Sequence, residues 1–322
     1  MNGTSEPCAA APPPASQDAE AGGDAHSTTS RGIAFMVLSV GLFAVMDGLV
    51  KWLGAGYPTM QIVFFRSLFA FVPLAVFIFR DGIGPALRVR DPWGHALRCG
   101  IGIVAMTVFF YAYANMPLAD VIALAFAAPI FVTALSVPLL GERVGMRRWS
   151  AVLVGFGGVL IMVQPGGGMF DPLAGLVLFG TVFYALAMIL VRKLARTETN
   201  TSIVFYFTLA CTLLAAGFLP FQWVTPSWSD LAMLIAVGLI GGLAQITMTM
   251  AFRYAEVAVI MPFEYSAMIW AVAIGFIFWG ELPGLNIWIG VAVVMASGLY
   301  IVYREANLGL PRGTARKLQA RR

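Results

Sequence analysis

The chain has 322 residues, of which 60% are apolar and 11% charged, against roughly 25% charged in an ordinary soluble domain. This excludes a pair of soluble domains and points to a single bilayer-embedded unit. The net charge of +4 is scattered in short basic clusters between apolar runs, without the continuous stripe that nucleic acid demands, so no nucleic-acid partner is expected.

Residues 1–30, rich in Ala, Pro, Ser, Asp and Glu, cannot bury a core and are expected to form a disordered cytoplasmic tail. They lack the basic start and apolar block of a signal peptide. A helix needs about 20 apolar residues to cross the hydrocarbon, and such stretches follow at 33–52, 60–79, 97–115, 118–140, 149–165, 172–192, 201–221, 230–252, 257–279 and 286–303. The apolar stretch 99–140 is too long for one helix and divides at Asn115-Met116-Pro117, since proline starts helices more readily than it continues them. The stretch 231–279 divides at Arg253-Tyr254-Ala255-Glu256. The expected fold is therefore an all-α polytopic membrane protein with ten transmembrane helices. Its parts are the tail 1–30, five spans within 31–165, five within 171–304 and a basic cytoplasmic tail 305–322.

Ten spans put both termini on one face. Of the 20 Lys and Arg, all but Lys51 and Arg66 fall in the tails or in the loops on the side of the termini, Arg98 being counted with the 80–98 loop. The positive-inside rule makes that side cytoplasmic. A bacterial inner membrane fits better than an outer-membrane barrel, whose strands alternate in about ten-residue segments.

The two halves repeat at an offset of 139 residues: Gly41 matches Gly180, Ala112 matches Ala251, Gly141-Glu142 matches Gly280-Glu281, and Trp149 matches Trp288. Each half has an odd number of spans, so the second enters the bilayer from the opposite side. Inverted repeats of this kind enclose a midplane site in many secondary transporters.

On these residues the sequence resembles the drug/metabolite transporters, specifically the ten-span bacterial type with two EamA domains, over about residues 31–305. The resemblance is carried by Gly141-Glu142-Arg143 and Gly280-Glu281-Leu282-Pro283 after the fourth and ninth spans, and by Tyr111-Ala112-Tyr113-Ala114 before the fourth. Further carriers are the segment from Asp47 to Gly54 and Phe64-Phe65-Arg66. It implies a helical bundle around a central cavity lined by the fourth and ninth helices. The run Pro262-Phe263-Glu264-Tyr265 resembles importers of cofactors such as S-adenosylmethionine and riboflavin. The family's cargo spans amino acids, polyamines, sugars, nucleotides and vitamins, so membership alone fixes none.

Ionisable groups at membrane depth each need a reason. Asp47 and Lys51, four apart on the first span, share a helix face; either they form a salt bridge near the outer interface with Lys51 snorkelling to the headgroups, or Asp47 is a cavity-facing carboxylate that binds substrate or a proton. Arg66 can clamp an anionic group or neutralise Asp47. Glu264 follows Pro262, whose missing backbone bond bends the helix, and can carry a proton through a transport cycle or pair with a cation. Tyr265 and Phe263 flank it. The rings of Phe109, Phe110, Tyr111, Tyr113, Tyr184, Tyr206 and Trp270 can stack on a flat cargo or pack on lipid, and Gln245 needs a mid-span partner. Candidate substrate or proton sites are thus Asp47, Arg66, Tyr111, Gln245, Glu264 and Tyr265. Asp120, Glu142, Glu256 and Glu281 sit at helix ends and read as structural, the two repeated ones pairing with a loop arginine. Gly155, Gly157 and Gly158 suit close helix packing or a homodimer face.

Chemistry is not signalled. No P-loop and no H-E-x-x-H occurs. The cysteines Cys8, Cys99 and Cys211 have neither metal nor disulfide spacing. No catalytic residue, metal or cofactor is expected; the partners are a small-molecule substrate and the lipid bilayer. The expectation is a secondary carrier working by alternating access, taking up a vitamin or cofactor, riboflavin slightly ahead of S-adenosylmethionine. Amino-acid or drug efflux, a passive facilitator and, furthest off, a membrane-embedded enzyme stay open.

Overall fold

The computed structural model describes residues 17–140, 146–164, 171–195, 197–254 and 260–307. Every regular element among them is helical: α1 (Gln17–Gly54), α2 (Thr59–Asp81), α3 (Ile83–Leu87), α4 (Pro92–Asn115), α5 (Leu118–Ala125), α6 (Ala128–Leu140), α7 (Met146–Val163), α8 (Pro172–Leu194), α9 (Asn200–Gln222), α10 (Trp228–Tyr254), a 3-10 turn (Met261–Ser266), α11 (Ala267–Trp279) and α12 (Leu285–Asn307). Seven stretches are long and apolar enough to cross a membrane, and three shorter apolar helices bring the number to ten. The apolar part of α1 is Ser30–Gly54, but the helix begins at Gln17, inside the segment expected to lack structure. Gln, Ala and Glu extend a helix well once the apolar part has nucleated it.

Helix starts follow local chemistry. The Asp91 carboxylate accepts the Gly94 N–H at 2.9 Å, with Pro92 opening α4. Asp171 caps α8 by accepting from Leu173 N–H at 2.8 Å, ahead of Pro172. Such caps satisfy the otherwise orphaned first-turn donors.

The fourth and ninth spans are each broken. The fourth divides between α5 and α6 at Phe126-Ala127, just before Pro129, which cannot donate to a carbonyl one turn back. The ninth opens as the 3-10 turn, with Pro262 near its start. The two breaks lie at equivalent places: Phe126 and Tyr265 are 139 residues apart, and their rings meet edge to face at 5.1 Å. The same offset governs the packing of α7 on α12. A β-carbon on Gly158 would stand 2.9 Å from the Gly290 carbonyl oxygen. The equivalent pair is Ser297 and Ala151, joined by a hydrogen bond of 2.6 Å from the serine hydroxyl to the alanine carbonyl. Small residues permit this close crossing; Gly155 likewise meets Ile130 and Ser297 within the chain.

Symmetry fails at the ends. On the face away from the termini, α1 and α4 close so tightly that a β-carbon on Gly54 would collide with Ala114. Among the described residues their counterparts α8 and α10 make no comparable contact. The two ends of the bundle therefore differ among the described residues, the close α1–α4 approach having no equal between α8 and α10.

Candidate functional site

Within the shut face lies a group of ionisable side chains. Asp47 of α1 is buried, 7% exposed, and seven residues from the helix end, about 10 Å deep at 1.5 Å per residue. Its carboxylate interacts with the Tyr113 hydroxyl of α4 and, by charge alone, with Arg66 of α2. It does not pair with Lys51, and this corrects the expectation of an Asp47–Lys51 salt bridge. The Lys51 ammonium instead donates to Glu281 at 2.7 and 2.8 Å and to the Met116 carbonyl at 2.7 Å, beside the Trp279 ring. Tertiary partners outbid a helical neighbour because they hold the lysine from three elements. Glu281 thus meets a lysine of the first span, not a loop arginine. Asp120, in the first turn of α5, lies within the field of this pair. Glu142 and Glu256 lie outside the described residues.

Arg66 is buried, 8% exposed, and its Nε has no hydrogen-bond partner. Arg98, expected in a loop, is well inside α4: Asp91 and Pro92 start that helix two turns earlier. Its side chain crosses the space left by Gly102, where a β-carbon would strike it, and its guanidinium carbon stands 4.2 Å from the centre of the Phe207 ring. Its Nε and Nη1 are buried and unpartnered. Among the described residues neither arginine forms an ion pair; the pairs found are Lys51–Glu281 and His95–Glu198. The two guanidinium groups lie within each other's electrostatic reach and share the buried Cys211 thiol of α9.

Glu264, in the 3-10 turn, is partly buried and has no hydrogen-bond partner among the described residues; its field reaches Tyr184 of α8 and Tyr265. Tyr184 also interacts with Arg98 and with Tyr113. Asp47 thus meets Tyr113 and the field of Arg66, and Glu264 and Arg98 both reach Tyr184. Of the other candidates, Tyr111 is 44% exposed on the outside of the bundle. Two residues turn a helix by about 200°, so Tyr113 faces in while Tyr111 faces out. Tyr265 points its hydroxyl into the space left by Gly298 and packs on Phe126, a wedge between helices. Gln245 is partly buried on α10, one turn beyond Gly241, which abuts Met46 and Arg66.

At the face bearing the termini, His95 is buried 3.8 Å from Glu198, whose carboxylate also accepts the Arg90 and Asp91 N–H groups at 2.6 and 2.8 Å. No cluster of metal-ligating residues occurs among the described residues.

The chain matches the EamA-like transporter family twice, over residues 30–164 and 173–303. It is 26% identical over 282 residues to an S-adenosylmethionine uptake transporter of Rickettsia prowazekii, covering 88% of this chain and 96% of that one. It is 28% identical over 282 residues to a riboflavin transporter of Rhizobium johnstonii, covering 85% and 91%. To a pseudopaline exporter of Pseudomonas aeruginosa it is 32% identical over 268 residues, covering 82% and 94%. A solved crystal structure superposes with a TM-score of 0.60 at 20% identity, over 88% of this chain and 99% of that one.

Proposed function

The chain belongs to the EamA-like transporter family, and we propose that it is a secondary carrier that moves a small charged metabolite across the bacterial inner membrane by alternating access. One observation carries this reading. Two half-bundles of inverse orientation enclose buried arginines with no hydrogen-bond acceptor among the described residues, and the helix pair that closes one face, α1 with α4, has no equally close counterpart at the other. Rocking one half against the other exchanges the open face. With both termini cytoplasmic, the Lys51–Glu281 pair closes the outside face.

Uptake of a cofactor is the favoured activity. Riboflavin suits the aromatic supply, but the buried charges put S-adenosylmethionine, which bears a carboxylate, an ammonium and a sulfonium, first. Export is the second reading, supported by the 32% identity to the pseudopaline exporter. The test is accumulation of labelled S-adenosylmethionine and riboflavin by cells with and without the protein, in the presence and absence of a proton gradient. Accumulation of either that depends on the protein is expected. Uptake of neither, with faster loss of a preloaded amino-acid metabolite, would replace import by export.

A further inference from the structure

Arg66 and Arg98 come from different helices, α2 and α4, and from opposite ends of them. Arg66 lies seven residues into α2 from the face away from the termini; Arg98 lies six into α4 from the face bearing them, its side chain running a full turn toward the middle over Gly102. Neither guanidinium donates a hydrogen bond within the described residues, and three of their nitrogens are buried with nothing to bond. Like charges brought together repel, and guanidinium groups deprived of water retain their demand for planar acceptors. Asp47 is the nearest acid to Arg66, yet it stands beyond ion-pair distance and engages Tyr113. Among the described residues the two guanidinium groups have no hydrogen-bond acceptor.

We infer that Arg66 and Arg98 form a carboxylate-binding subsite, and that the cargo is an amphoteric metabolite whose cationic end lies toward Asp47 and Glu264. A carboxylate has two oxygens in one plane and can take a fork of N–H donors from each guanidinium. Asp47 acts on Arg66 by charge and engages Tyr113, while Glu264 and Arg98 both act on Tyr184, so the site offers a positive pole and a negative one. A zwitterion with a few bonds between its charges matches both poles; a neutral flat ring matches neither. This rests on the carrier reading above and specifies the chemistry of its cargo.

The experiment uses proteoliposomes of the full chain and labelled S-adenosylmethionine. Competitors are its decarboxylated analogue, which keeps the sulfonium and an amine, and riboflavin. The decarboxylated analogue is expected to compete at least tenfold more weakly than unlabelled S-adenosylmethionine, a comparison that needs no variant to fold. Arg66→Gln and Arg98→Gln, at equal amounts in the membrane, should each raise KM at least tenfold, and Arg66→Lys should recover only part of the loss. Equal competition by the decarboxylated analogue, or riboflavin transport indifferent to both Gln variants, overturns the subsite and leaves the carrier reading intact. Uptake of no compound by the native chain overturns the import reading and this assignment together.

Discussion

Asp47, Arg66, Arg98 and Glu264 have no ionisable counterparts in the other half: the offset of 139 residues places Leu186, Phe205, Val237 and Ala125 there. Scaffold positions behave differently, with Gly141-Glu142 recurring as Gly280-Glu281 and Gly41 as Gly180. A charge at membrane depth costs about 2.5–3.5 kcal/mol on insertion scales, so one that the second half of the same fold manages without is there for what it touches. Glu264 is partly buried with no hydrogen-bond partner among the described residues, and an acid so placed can take up a proton on one side and release it on the other. Glu264→Gln keeps the shape and removes the proton. The expected outcome is transport at least tenfold slower and no longer responsive to a pH difference, with normal insertion. Vesicle uptake at two external pH values checks this, and a retained pH response would refute the role.

At the scale of elements, two broken spans meet through Phe126 and Tyr265, and Tyr265 is held by the missing side chain of Gly298. Gly298→Ala would drive a methyl into the tyrosine hydroxyl. Overpacking of this kind costs about 1–3 kcal/mol, read as a lowered Tm in detergent. Tyr265→Phe in the same chain removes the offending oxygen and should restore most of the loss; a double variant as unstable as the single would show that Tyr265 is not what occupies the space. The spans and the repeat were legible in the sequence because hydropathy and a fixed offset survive in any one-dimensional reading. The break before Pro129 was not, since an unwound pair of residues, Phe126-Ala127, is as apolar as the helices on either side. Arg98 was misplaced for a related reason: counting apolar residues began the third span at 97, whereas the Asp91 cap and Pro92 begin the helix earlier and carry the arginine inward. The deep acids were visible as residues, but their partners come from other helices: nothing in the spacing of Asp47 and Lys51 reveals that the lysine turns to Glu281, 230 residues away.

For the molecule as a whole, the two faces differ in one ionic feature that the sequence halves nearly share. Glu281 repeats Glu142, but Lys51 corresponds to Leu190, so the latch built by Lys51, Glu281 and the Met116 carbonyl has no identical twin in the other half. A charge-assisted hydrogen bond contributes about 2 kcal/mol, equivalent to roughly a 30-fold bias between two conformations. The latch therefore sets how long the far face stays shut. Lys51→Glu or Glu281→Lys leaves two like charges where the pair stood, and the equilibrium should move toward opening on that side. The reporter is a single cysteine at Ser67, fully buried beside Arg66, in a chain whose native cysteines are replaced by alanine. A membrane-impermeant maleimide applied to the outside of intact cells should label it at least tenfold faster in either single reversal. The double reversal, Lys51→Glu with Glu281→Lys, rebuilds the pair with its charges exchanged and should return labelling to near the native rate, the lost bond to Met116 accounting for the remainder. Labelling that stays fast in the double reversal would assign the effect to disrupted packing of α1 on α4, and labelling unchanged in all three would remove the latch from the transport cycle.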